Sequence, residues 1–374
     1  MGMLIAGDFG SGKSHLLEHF QHIALEENFV CSKVVISKET PLYDPAKVYR
    51  SAMQEARVPG KTGHALSEIA FSIKFDSPTF ADFEKWVNSA DRSLNSRFAA
   101  TVYIFRYGED IEVRDRIIRF WSGDPKAVAE LKKWLKDMGE AASYKIDKIS
   151  VKEMALQRYS FAPRLMVAAG YSGWVLLLDE VELIGRYSLR QRSRSYAELT
   201  RFMGKLEGVS LPGMTGVLTI SGDFESVVLD PANDKGKKDR EKIPAKLGGS
   251  GSESDSLLAS QAERGMQLIS DKDKLVLKPP SPETIHQTLT KLRAVYASAY
   301  GWQPPIEHIQ LDTSTSTRMR EHVKRCITEW DLKRLYPAYN PDIRVSEIKL
   351  DYSENPELES DTESDSKNED TRDA

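Results

Sequence analysis

Eight residues near the amino end, Gly7, Asp8, Phe9, Gly10, Ser11, Gly12, Lys13 and Ser14, have the types and spacing that hold a polyphosphate. They satisfy G-x-x-x-x-G-K-[ST] in full. Glycines let main-chain N–H groups converge on phosphate oxygens, the lysine reaches the β- and γ-phosphates, and the serine hydroxyl ligates Mg²⁺. His15, next in the chain, is counted with the nucleotide-binding residues. A second set lies at Asp179 and Glu180, directly after the apolar run WVLLL. An aspartate there can hold the metal through its water shell, and a following glutamate can orient an attacking water. The two sets together supply parts for cutting ATP as well as gripping it.

Hydrolysis also needs a polar reporter and positive charge at the γ-phosphate. On GVLTISGD either Thr219 or Ser221 can serve as that sensor. Arg264 is the candidate finger onto a neighbouring subunit's nucleotide, and Arg318 the candidate that swings onto the phosphates, with Arg320 as its substitute. Arg186, Arg190, Arg192, Arg194 and Arg201 crowd the stretch after the acidic pair. With no aromatic platform among them, a solvated helix face is expected in preference to a DNA-backbone contact. His15, His19 and His22 share a helical face, but no cysteine or paired carboxylate completes a metal site, so they read as the polar side of a helix.

These side chains need a parallel sheet to present them. MLIA reads as a buried first strand, NFVCSKVVIS as a second, WVLLLDE as a central one, and GVLTISGD and KLVL as two more, with amphipathic helices between. The signals over residues 67–161 are mostly helical and too long for a simple connection, which predicts a helical insertion. Residues 230–256 mix Pro, Gly, Ser and charge without periodicity and predict a mobile loop. The expected domains are an ATPase core over 1–280, a helical lid over 281–350 and a disordered acidic tail over 351–374. In the lid, Ile285, Leu289, Leu292, Val295, Tyr296 and Ala299 line one helix face, and Met319, Val323, Cys326, Ile327 and Trp330 another. The fold class is α/β, a parallel sheet with a helical insertion and a C-terminal α-helical lid.

The composition fits that plan. The chain has 374 residues, 40% apolar and 29% charged, as in ordinary globular proteins. No apolar run reaches the roughly 18–20 residues that cross a bilayer, and no leader pattern opens the chain, so a cytoplasmic address without membrane contact is expected. Cys31 and Cys326 lack ligand spacing and read as reduced, buried thiols. The net charge of −4 is unevenly spread: residues 353–374 carry nine acidic and two basic side chains, which leaves the rest mildly basic.

GDFGSGKS, VVISKETPLYDPAKVYR, WVLLLDEVE and AERGMQLISDKDKLVLKPPSPETI together resemble the BrxD-like P-loop ATP-binding proteins of BREX phage-defence clusters, which are similar in outline to origin-recognition-type AAA+ ATPases. SKETPLYDPAKVYR is the most specific part, and the resemblance covers most of residues 4–335. It implies ATP and Mg²⁺ as ligands and ATP hydrolysis. Lys13 and Ser14 take the nucleotide and metal positions, Asp179 and Glu180 form the acidic pair, and Thr219 or Ser221 takes the sensor place. Arg264 falls at the finger and Arg318 at the lid sensor. Other defence-system proteins, an ATP-dependent homo-oligomer and DNA are the partners it implies, with antiviral defence as the role. The alternative is a nucleotide-gated regulatory or scaffold switch with slow hydrolysis. One departure is the amino end: AAA+ proteins usually carry an adenine-packing segment ahead of the first strand, and here the sequence begins almost on that strand. An incomplete adenine site or an upstream start codon is expected.

Overall fold

A computed structural model of the chain describes residues 2–89, 94–125, 128–232, 237–272, 274–305, 319–338 and 351–359. The opening apolar run is strand β1 (Met3–Ala6), whose loop feeds helix α1 (Lys13–Glu26), followed by strand β2 (Val30–Val35). Asp44 starts helix α2 (Pro45–Gln54): its carboxylate accepts from the amides of Ala46 and Lys47, and Pro45 occupies the first turn, where no N–H is required. A two-residue strand β3 (Ala56–Arg57) runs antiparallel along β2.

Helices then fill the described part of the expected insertion: α3 (Ala65–Phe71), α4 (Pro78–Val87), α5 (Ser96–Tyr107), α6 (Ile111–Ser122), α7 (Val128–Asp137) and α8 (Val151–Ala168). Ser77, Asn95, Asp110 and Ser150 cap four of them with side-chain oxygens. Phe80, Phe98, Phe120, Trp121 and Phe161 are buried among these helices. Tyr159 on α8 ties them to α2 and the sheet, its hydroxyl donating to the carbonyl of Pro45 and its ring stacked on Trp174.

Strand β4 (Trp174–Asp179) is the central apolar run, and a 3₁₀ turn (Val181–Arg186) leads from it to α9 (Leu189–Phe202) and strand β5 (Met214–Ile220). Then come a short π turn (Glu225–Leu229), α10 (Asp239–Ile243), α11 (Glu253–Ser270) and strand β6 (Leu275–Val276). The sheet order is β3-β2-β4-β5-β1-β6, parallel throughout except for β3. Strand alternation divides it into two faces. Leu4, Ala6, Val34, Leu176, Leu178, Leu218 and Ile220 point into the large core shared with the insertion, whereas Ile5, Cys31, Leu177 and Val217 meet Leu17 and Ala24 of α1 on the other side. Helices α12 (Pro282–Tyr300) and α13 (Met319–Leu335) pack around a separate small core of Ile285, Leu289, Tyr296, Cys326 and Trp330.

The structure departs from the sequence reading in four places. Residues 230–256 are not a plain loop: α10 lies within them and Asp239 is fully buried, gripped by Arg192. Arg192 is therefore no member of a solvated face. Val295 is 66% exposed and faces away from the α12–α13 core, because the packed stripe runs through Ile285, Leu289 and Tyr296 instead. Residues 351–359, expected as solvated tail, pack on the body of the protein through Tyr352 and Leu358; the tail beyond them, like residues 339–350 of the expected lid, lies outside the described residues. Both cysteines are free and buried, and no described helix is long and apolar enough to cross a membrane.

Candidate functional site

The C-terminal ends of β1, β4 and β5 meet at one edge of the sheet, and the residues singled out by their chemistry lie there. Strand β1 hands its last amide contacts to the neighbouring strand: the Gly7 amide donates to the carbonyl of Ile220, and the Gly222 amide donates back to that of Gly7. Gly10 and Gly12 have φ of 85° and 101°, which a side chain at either position would strain, and Gly12 has open space around it. Gly12 is the N-cap of α1 and no side chain caps it, so the first-turn amides of a 14-residue helix are offered to whatever the loop encloses. The Ser11 hydroxyl is buried without a partner, a polar atom left for a ligand to satisfy.

Lys13 is only 7% exposed and folds back into the loop. Its Nζ donates to the carbonyl of Gly7 at 2.7 Å, and Glu182 Oε1 stands 3.7 Å away. Glu182, which the motif reading did not single out, comes from the 3₁₀ turn after the acidic pair. It is 8% exposed, and its second oxygen is buried with no partner. Burial pushes its carboxyl above the ordinary value, while the Lys13 ammonium pulls the other way.

Asp179 is 3% exposed and held from two sides: Thr219 Oγ1 donates to its Oδ1 at 2.6 Å, and the Glu180 amide donates to the same oxygen at 3.0 Å. Glu180 adopts φ 57° and ψ 37°, a left-handed conformation that costs a non-glycine residue about 1–2 kcal/mol. Residues held this way cluster at sites where the surrounding fold imposes them. Here the twist turns the Glu180 side chain out to solvent at the strand end and sends the chain into the turn that buries Glu182.

The structure separates the two sensor candidates. Thr219 serves Asp179, whereas the hydroxyl of Ser221 donates to Asp223, whose carboxylate also accepts from the Tyr352 hydroxyl at 2.9 Å. Ser14 follows Lys13 in the first turn of α1, and the exposed His15 reaches Glu18. Arg264 does not join the loop. It pairs with Glu207, on the connection into the opposite end of β5, where the amide of Gly2, ahead of β1, donates to the carbonyl of Met203. Arg318 lies outside the described residues. Its neighbour Arg320 places its guanidinium 4.8 Å from the centre of the Phe9 ring and so brings α13 against the glycine loop. The arginines after the acidic pair are largely spoken for: Arg190 by Asp255, Arg192 by Asp239 and Glu354, and Arg201 by Glu198.

A family model of the BREX system ATP-binding proteins BrxC/D matches residues 3–72 and 80–227, more than half of the chain, and spans the glycine loop, the acidic strand and the sensor strand. The chain belongs to this family. Membership implies ATP binding within a BREX defence system. No curated protein and no solved structure matches the chain.

Proposed function

We propose that this BrxC/D-family protein is an AAA+-like P-loop ATPase that binds ATP with Mg²⁺ at the loop of residues 7–14 and hydrolyses it. The observation that carries the reading is the convergence at one sheet edge of a glycine loop with an unpartnered hydroxyl, a buried lysine, and a carboxylate, Asp179, fixed by two hydrogen bonds. The donor set suits a hard, oxygen-seeking cation shared with phosphates, because Ser14 and Asp179 each offer one oxygen and leave room for waters. Bound Mg²⁺ would supply charge neutralisation at the β- and γ-phosphates. Lys13 exchanges the Gly7 carbonyl for phosphate oxygens, and the loop amides hold the rest of the chain of phosphates. Glu180 faces the solvent side of the site, where it orients the attacking water, and Thr219 keeps Asp179 aimed at the metal. Helix α13, with Arg320 on Phe9, acts as part of a lid over the loop. Nucleotide state is thereby coupled to partner proteins of the defence system, to DNA, or to a second copy of the chain, whose Arg264 would complete the site.

Calorimetry and a phosphate-release assay test this reading. Lys13→Ala should abolish ATP binding. Glu180→Gln should bind ATP with near-native affinity and lose turnover by about 10²–10⁴-fold, the usual share of a general base; unchanged turnover removes Glu180 from its role.

A switch with slow hydrolysis is the second reading, and one observation favours it: the finger candidate Arg264 is held in an ion pair with Glu207 that it would have to leave to reach a neighbouring copy. ATP-dependent assembly without turnover would select the switch, and turnover stimulated by DNA would select the motor-like ATPase.

A further inference from the structure

We infer that Glu182 is a specificity-determining residue that competes with the nucleotide for Lys13, repels the γ-phosphate, and so lowers the preference of the site for ATP over ADP. The inference rests on the reading of residues 7–14 as the ATP site. Three observations carry it. The Glu182 side chain is the carboxylate facing Lys13 Nζ in the ligand-free arrangement, at 3.7 Å, with both side chains about nine-tenths buried. Its other oxygen is fully buried and accepts no hydrogen bond, so that oxygen has nothing to offset its charge if the lysine leaves. Finally, it sits on a 3₁₀ turn pinned at both ends: the Leu183 amide donates to the carbonyl of Glu180, and the Tyr187 amide donates to that of Ile184.

Phosphate capture follows from this geometry. Once Lys13 turns to the β- and γ-phosphates, Glu182 loses its only cationic partner in the loop and faces the γ-phosphate as a like charge in a site with little water. Both consequences oppose binding of the triphosphate. ADP brings no γ-phosphate, so it meets the first consequence and not the second. The carboxylate thus weakens the grip on ATP more than on ADP, which favours exchange over a permanently loaded state. Glu182 thus acts in two ways, by holding Lys13 and by its own charge opposite the γ-phosphate, and the second is the one that separates ATP from ADP.

The test is calorimetry of Mg·ATP and Mg·ADP on the full chain, comparing wild type with Glu182→Gln, which keeps the shape and removes the charge. The expected result is an ATP affinity raised about 10-fold, with a clearly smaller rise for ADP. Equal shifts for the two nucleotides, no shift, or weaker ATP binding overturns the inference. A variant that retains affinity but loses turnover does so as well, because it makes the unpartnered oxygen a water acceptor instead. Should Glu182→Gln fail to fold, Glu182→Asp, which draws the charge back from Lys13, should move the ATP to ADP ratio in the same direction by a smaller step; an unchanged ratio refutes the proposal. If wild type binds neither nucleotide, the ATP-site reading itself falls, an outcome distinct from wild-type binding with an unaltered variant.

Discussion

At the scale of single residues, the site depends on hydrogen bonds that fix charged groups before any ligand arrives. Thr219 is fully buried and spends its hydroxyl on Asp179. Thr219→Val keeps the shape, removes that bond, and leaves the Asp179 oxygen with the Glu180 amide alone. Supporting residues of metal-holding carboxylates typically contribute about 10–100-fold, and a loss of that size in ATP turnover is expected, with the fold intact by circular dichroism. The thiols give a second prediction. Burial pushes Cys31 up to about 12 and Cys326 up to about 11, so neither supplies thiolate near neutral pH. A thiol reagent should label neither in the native protein and both after denaturation; rapid native labelling would show that the sheet or the α12–α13 core opens. The glycine loop and Asp179 were legible as patterns, because phosphate chemistry constrains their spacing. Glu182 was not, since its meeting with Lys13 depends on the left-handed twist at Glu180, which no spacing rule announces. Nor could it be read that Thr219 faces Asp179 and Ser221 faces Asp223, because that depends on how the strand ends meet in space.

At the scale of elements, helices α9 and α11 meet most closely at Gly265, where an added Cβ would come within 2.1 Å of the Tyr196 carbonyl oxygen. Backbone cannot yield as a flexible side chain can, so Gly265→Ala should destabilise by roughly 1–3 kcal/mol in denaturant unfolding. Gly248→Ala, with nothing within 4 Å, is the control expected to be near neutral. The same pair of helices frames the ion pair of Arg192 with Asp239, whose two hydrogen bonds of 2.7 and 2.8 Å are shut away from water. Arg192→Ala would leave Asp239 buried with the Tyr196 hydroxyl and without its hydrogen-bonded guanidinium, a loss of about 3–5 kcal/mol, whereas replacing both partners by apolar residues should cost much less. Strands β1, β2, β4 and β5 and the helices of the insertion were legible from apolar runs and periodicity. Helix α10 was hidden because its sequence, DREKI, has a single apolar residue, Ile243, and owes its place also to the buried pair of Asp239 with Arg192 across 47 positions and to the Arg240 contacts with Asp230 and Ser270, none of which makes an apolar stripe.

At the scale of the whole molecule, residues 351–359 are the far end of the described chain, yet they lie against the turn that carries Glu182. The Tyr352 ring meets Phe224 edge-on at 5.9 Å and lies where a Cβ on Gly185 would fall, its hydroxyl shares Asp223 with Ser221, and the Asn355 amide donates to the carbonyl of Arg186. Glu354 reaches Arg192 at 2.8 Å and Lys237 at 3.4 Å, and Leu358 joins Tyr43 and Tyr187. Composition hid this strap, since its two anchoring apolar residues stand among acidic ones. A chain ending at residue 350 should stay folded, because the main core contributes its own burial, but should melt at a lower temperature and show altered ATP turnover as Asp223 loses the Tyr352 hydroxyl and is left to Ser221 alone. Acid should loosen the strap by a separate route. The hydrogen bond from Arg192, with smaller help from Lys237, holds the Glu354 carboxyl below its ordinary 4.5. A carboxyl depressed in the folded state contributes stability that is complete above its unfolded value and disappears as pH falls through its folded one. Glu354→Gln should therefore be less stable than wild type at neutral pH, and the two stability curves should converge below about pH 4.5. The gap should be small, because the Glu354 side chain is 53% exposed and water screens the pair. A gap that widened on acidification would mean that Glu354 does not hold the strap through its charge.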